Sequence, residues 1–215
     1  MQSLCRKHIA ELNLYDGKAD RYFSGSPVPL AEELRTWALG ETEAISSVTY
    51  PRERPYYVEL SPEKTLPYEL ETIEIDTCYN KIFTPEMVAG HWKMASQSLN
   101  SVILSQSMAI KIFGNAESAI GKHMTLMRRL NTSPESTPKT GGIVYTIQAV
   151  MKDIPLNNSL DFMQNIDMLT VNDSEGLLQS SKRHNMTGAN TYVLLSPQTT
   201  CTDLEKQFSK RGYTY

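Results

Sequence analysis

Four histidines (His8, His91, His123 and His184), three cysteines (Cys5, Cys78 and Cys201) and the aspartates Asp153, Asp161, Asp167 and Asp173 are the first candidates for chemistry in this 215-residue chain. A zinc site of the H-E-x-x-H kind needs histidines four apart on one helix face, and these are scattered, so no metal site is expected. The cysteines are far apart and odd in number, which permits at most one disulfide and no C-x-x-C pair. Cys78 lies in the alternating stretch LETIEIDTCY and is expected to be a small buried side chain of a strand. A reactive thiol would need a cationic neighbour, and none adjoins it in sequence. The aspartates could pair as general acid and base, but at strand ends and turns carboxylates read as solvated or capping groups. No serine sits in G-x-S-x-G. Asn131, Asn157, Asn172 and Asn185 each open an N-x-S/T triplet, which has meaning only in a eukaryotic secretory setting.

Another chemical reading concerns VILSQSMAIKIFGNAESAIGKHMTL, residues 102–126. Val102, Ile103 and Leu104 form a continuous apolar run with β-branched residues, as in a buried strand. Ser105 can cap a following helix, Met108, Ala109, Ile112 and Phe113 recur at helical spacing, and Gly114 can close that helix in the left-handed region. His123 to Leu126 returns to an extended pattern. A strand feeding a helix N-terminus can hold a phosphate. Here no glycine separates Leu104 from the helix, so neither a dinucleotide fingerprint nor a P-loop is present, and a structural strand–helix–strand unit is expected.

The elements that would position these groups belong to an ordinary globular chain, 40% hydrophobic and 21% charged. A net charge of −3, with only short basic clusters at Arg128-Arg129 and Lys182-Arg183-His184, gives no electrostatic footprint for nucleic acid. No apolar run is long enough for a signal peptide or a membrane helix. Pro27 and Pro29 announce a helix ending near Gly40, with Leu30, Leu34 and Trp37 on its buried face. ISSVTY, YYVEL and LETIEIDTCY alternate as antiparallel strands punctuated by Pro51, Pro55, Pro62 and Pro67. The stretch 128–142 reads as a hairpin connection before the strong strand IVYTIQAVM. NNSLDFMQNIDMLTV reads as a turn and strand, and ANTYVLLSP as another strand. Thr202 and Glu205 in TDLE have capping-box spacing and predict a last helix with Leu204 and Phe208 as its apolar edge. The ten methionines read as core filling, with an adaptable partner surface as the alternative. Residue patterns alone thus predict an α+β domain without a visible active site. The ends of the chain are those expected of a piece of something larger.

The stretch 102–126 resembles a motif of the MacB-like periplasmic core domain of MacB- and FtsX-type ABC transporter permeases: an apolar strand, Ser, an Ala-containing helix ending Phe-Gly, and Ile-Gly-Lys before the next strand. Ser105, Ala109, Phe113, Gly114, Ile120, Gly121 and Lys122 match in order. YTIQAVMKDIPLNNSLDF continues the likeness through Val150, Asp153, Pro155, Asn158 and Ser159. ADRYF, IFTPEMVAGHW and ANTYVLLSPQTTCTDLEKQF are similar more loosely, with Tyr22-Phe23, His91 and the long 128–142 loop as departures.

The resemblance implies a two-lobed α+β ectodomain, with a membrane-proximal α/β lobe from residues 1–98 plus 188–215 and an inserted β-rich lobe from 99–187. It implies a non-catalytic part of a permease at the periplasmic face of the bacterial inner membrane, coupling ATP-driven motion to export or signalling. The implied partners are a cytoplasmic ATPase subunit, reached through membrane helices, a second permease copy, and a periplasmic partner or exported substrate. No cofactor is implied. The alternatives are a secreted or periplasmic hydrolase, which would need a polar cleft around Asp153, Asp161 or Ser105, and a stand-alone ligand-binding module.

Overall fold

A computed structural model describes residues 2–6, 9–16, 21–23, 25–27, 30–37, 42–61, 63–98, 100–126, 142–154, 165–171 and 187–210. In chain order the elements are β1 (Gln2–Arg6), β2 (Ile9–Asp16), β3 (Arg21–Phe23), β4 (Ser26–Pro27), α1 (Leu30–Thr36), β5 (Thr42–Thr49), β6 (Arg52–Ser61), β7 (Lys64–Ile75), α2 (Tyr79–Phe83), β8 (Met87–Gly90) and α3 (Trp92–Gln97). They continue with β9 (Ser101–Ser105), α4 (Gln106–Phe113), a 3-10 turn at Glu117–Ala119, β10 (His123–Leu126), β11 (Ile143–Met151), β12 (Met168–Val171), β13 (Thr187–Leu195) and α5 (Cys201–Lys210). The chain is therefore mixed α+β. It divides into two compact units, one of residues 1–50, 75–84 and 172–215, the other of 51–74 and 85–171. The lobes implied by the resemblance differ from this division in where they put 51–74, 85–98 and 172–187.

In the first unit β1, β2, β13 and β5 lie side by side, every pairing antiparallel. Alternation sorts their side chains. Ala10, Ile45, Val193 and Leu195 join Leu30, Ala31 and Leu34 of α1 and Leu204 and Phe208 of α5 in one apolar cluster. Each large side chain fully buried there contributes about 1.5–3 kcal/mol. Trp37 meets Phe208 edge-on at 5.8 Å. The opposite parity of β13 presents Tyr192, whose ring receives Phe83 of α2 edge-on at 5.0 Å. α1 begins after Pro27 and Pro29, carries Glu32 and Glu33 in its first turn and Arg35 in its last, charges that suit its dipole.

In the second unit the pairings close on themselves: β6 with β7, β7 with β12, β12 with β9, β9 with β11, β11 with β10, and β10 with β6. Tyr56, Val58, Leu70, Val102, Leu104, Met124, Tyr145, Ile147, Val150 and Met168 fill the interior, and Met108, Ala109 and Ile112 of α4 pack into the same cluster. Tyr56 and Tyr145 meet edge-on at 6.2 Å. β6 and β7 form a long hairpin that runs through two of the prolines expected to interrupt it, with Pro55 opposite Glu69 and Pro67 opposite Tyr57.

Two expectations are corrected. β7 stops at Ile75, so Cys78 is not a strand residue: it is the half-buried N-cap position of α2, because Asp76 ends the alternation and turns the chain. The last helix begins at Cys201 rather than after Thr202. Its capping pair is Thr200 and Asp203, with Thr200 Oγ1 donating to the carboxylate at 2.6 Å and accepting from the Asp203 N–H at 3.3 Å. The 128–142 connection lies outside the described residues except for Gly142.

Candidate functional site

The junction of β9 and α4 gathers several of the sequence-selected residues. β9 is buried at every position because it lies between β11 and β12. Ser105 ends it in an extended conformation, and its hydroxyl accepts the Met108 N–H at 3.3 Å. Asp153, just beyond β11, accepts the Ser107 N–H at 3.0 Å. Two of the free donors of the α4 N-terminus are thus taken by side chains of the protein itself. Gly114 closes the helix at φ 87° with its N–H on the Ile110 carbonyl. Ala109 is fully buried, and Phe113 and Ile120 pack against the core. Gly121 adopts φ 78°, and its N–H reaches the Ile147 carbonyl at 2.8 Å while the Lys122 carbonyl accepts the Ile147 N–H at 2.9 Å. Val150 stands opposite Leu104 in the parallel β9–β11 pair. Pro155, Asn158 and Ser159 lie outside the described residues, as do Asp161, Asp173, His8 and His184.

Beside this junction, Asp167 accepts the Glu71 N–H at 2.9 Å and donates its own N–H to the Glu71 carbonyl, also at 2.9 Å. Glu53 stands directly across the hairpin from Glu71. Burial pushes the Asp167 carboxyl up. The Glu71 N–H and Lys111 oppose that rise, and Asp153 and Glu53 add to it. Glu71 is raised by burial and then by Glu53 and Asp167. These carboxylates brace a strand seam. Ser105 and Asp153 both serve as caps of the α4 N-terminus. Among the described residues no three His, Cys, Asp or Glu side chains gather as metal ligands would.

The first unit holds a polar centre that the sequence reading missed. Asp76, 1% exposed, accepts from the Ser46 hydroxyl at 2.9 Å, the Ser47 N–H at 2.8 Å and the Cys78 N–H at 3.0 Å, and pairs with Arg35. Arg35 also donates to the Ile45 carbonyl at 2.7 Å and to Glu32 at 2.8 Å. Burial disfavours the guanidinium charge, yet Asp76 and Glu32 together raise its pKa above the ordinary value. The signal in the sequence is local: an Asp whose carboxylate accepts the N–H two residues on makes a turn, here Asp76 to Cys78. Its long-range partners carry no such signal. This cluster locks α1 to β5 and to the entry of α2, and every acceptor position of the carboxylate is used inward. Cys78 is a free thiol while Cys201 is disulfide-bonded.

A likeness to solved structures extends over nearly the whole chain. A domain assigned to a permease protein of Porphyromonas gingivalis matches at 22% identity and a TM-score of 0.68, over 95% of this chain and 82% of that one. The periplasmic region of MacB from Actinobacillus actinomycetemcomitans matches at 14% and 0.61, over 95% and 82%. The extracellular domain of the noncanonical ABC-type transporter YknZ from Gram-positive bacteria matches at 12% and 0.51, over 96% of both chains. No family model matches the sequence, and no curated protein does. The resemblance read from residues 102–126 thus holds in three dimensions, and the chain has the fold of the extracytoplasmic domains of MacB-type ABC transporter permeases.

Proposed function

We propose that this chain is a non-catalytic extracytoplasmic domain of an ABC transporter permease subunit, relaying ATP-driven motion of membrane helices to export or signalling outside the membrane. The observation that carries this reading is the fold, shared over 95% of the chain with two transporter domains. The use of Ser105, Asp153, Asp167 and Asp76 as caps and braces supports a mechanical role over a chemical one. The first unit, which shares residues 1–50, 75–84 and 188–215 with the membrane-proximal lobe implied by the resemblance, would lie at the periplasmic face of the inner membrane. A cytoplasmic ATPase subunit and a second permease copy would complete the transporter, and a periplasmic partner or an exported substrate would meet the ectodomain. The motion transmitted would be a rigid-body change between discrete states.

No helix among the described residues is long and apolar enough to cross a membrane, so the reading requires membrane segments elsewhere in the parent protein. Sequencing the parent gene tests this. Apolar segments of about 20 residues on both sides are expected. A cleavable leader on one side and a stop codon on the other would detach the fold from any motor. The isolated chain is expected not to bind ATP, and saturable binding in equilibrium dialysis would count against the assignment.

A further inference from the structure

The chain passes between its two units at 50/51, 74/75, 84/85 and 171/172. At 84/85 the last residue of the first unit is Thr84, at φ 41° and ψ 57°. Two rules oppose this conformation. A β-branched residue is a genuine outlier in the left-handed region, and the residue before a proline, here Pro85, is driven toward extended backbone. Helices commonly end in a left-handed residue, but that residue is usually glycine or asparagine.

The neighbours of Thr84 are held. Phe83 precedes it, its ring packed at 4.6 Å from Tyr79 and 5.0 Å from Tyr192 within the first unit. Pro85 follows with its φ fixed by the ring, and the Glu86 carbonyl accepts the Lys152 N–H at 2.8 Å within the second unit. Thr84 itself has an exposed side chain, and its N–H reaches the Asn80 carbonyl at 3.2 Å. One strained, unpacked residue therefore separates two anchored ends. Such strain persists only where the surrounding structure holds it in place, and residues that carry it cluster at switch regions.

We infer that Thr84 is a two-state hinge residue of the strap joining the units: left-handed in this structure, extended in a second conformation that its side chain and Pro85 both favour. The change lengthens the strap by roughly 2 Å, the difference between helical and extended rise per residue. This inference stands independently of the transporter reading.

The test is a distance distribution measured by pulsed electron resonance on the full 215-residue chain. Spin labels are attached through a non-natural amino acid at the exposed positions Lys206 in the first unit and Glu117 in the second. The parent chain is compared with Thr84→Gly, Thr84→Asn and Thr84→Val. Glycine and asparagine tolerate the left-handed region, so both should displace the distribution in the same direction, toward a single narrower population. Valine keeps the β-branch and should leave it where threonine does. Four superimposable distributions, or a glycine variant that only broadens while asparagine does nothing, would overturn the hinge. Circular dichroism melts of the four proteins establish that each is folded before the distances are compared.

Discussion

The two units are built on different principles. The first adds to its apolar cluster a buried charge, Asp76, bound by Arg35, Ser46 and the backbone of Ser47 and Cys78. The second is organised around an apolar interior ringed by strands, with α4 packed into it and its carboxylates at a seam. An apolar core tolerates repacking, whereas a buried ion pair fails when one partner is removed. The first unit should therefore be brittle at a single point and the second tolerant except where backbones touch.

The largest break in this comparison is expected from Asp76→Ala, which leaves Arg35 partly buried without its carboxylate. A loss of about 3–5 kcal/mol is expected, read as a lowered urea midpoint. Hydrogen exchange should locate the damage in α1 and β5 and leave β9 and α4 protected. Equal loss of protection in both units would show that they unfold as one.

Next in size is Gly90→Ala, the test of close backbone approach in the second unit. Gly90 has φ 69°, and a Cβ there would lie 2.3 Å from the Gln148 carbonyl oxygen and 2.8 Å from the Ala149 Cα. The left-handed penalty and the overlap together cost about 2–3 kcal/mol. Gly114 has φ 87° but nothing within 4 Å of where a Cβ would stand, so the same substitution there should cost only about 1 kcal/mol. Denaturation midpoints of the two variants side by side would sharpen the distinction between conformational and steric demand.

A smaller effect, about 1 kcal/mol, is expected from Ser105→Ala, which removes one of the two side-chain acceptors at the α4 N-terminus. Ser105→Thr, which keeps a capping hydroxyl without burying a charge, should restore part of it. Thermal melts of both variants would distinguish capping from packing of the hydroxyl.

The strand–helix–strand unit was legible in the sequence because its signals are local: an apolar run, a capping serine three residues before Met108, and Gly114 at the helix end. The Asp76 centre was not, because Arg35 and Ser47 stand 41 and 29 residues away and no pattern pairs them. α2 has only five residues, too short for helical periodicity to show. The register of α5 slipped because both T-C-T-D and T-D-L-E satisfy the capping pattern. The turn in which the Thr199 N–H reaches the Ser196 carbonyl delivers Thr200 to the cap position. Closure of the second unit through β7 and β12 depends on strands far apart in the chain, whose partners alternation cannot name.

The smallest expected effect separates two sites, the β7–β12 seam and the start of α5, by the sign of their response to acid. In the second unit Asp167 and Glu71 have carboxyl pKa values raised above their unfolded values, which lie near 4. Between the unfolded and the raised folded values the folded state holds more protons, so stability rises as pH falls through that window. In the first unit Asp203 is held below its ordinary value, first by the Thr200 hydroxyl and N–H and then by Lys206. Its contribution is full above the unfolded value and is lost as pH falls through the folded one. Moderate acidification should therefore raise the amide protection factors, each taken against the intrinsic exchange rate at that pH, at the β7–β12 seam, and stronger acidification should lower them at the start of α5. Asp167→Asn should flatten the first response without touching the second. A seam that loosens on mild acidification would mean that the Glu71 N–H bond to the Asp167 carboxylate outweighs burial and the neighbouring carboxylates together.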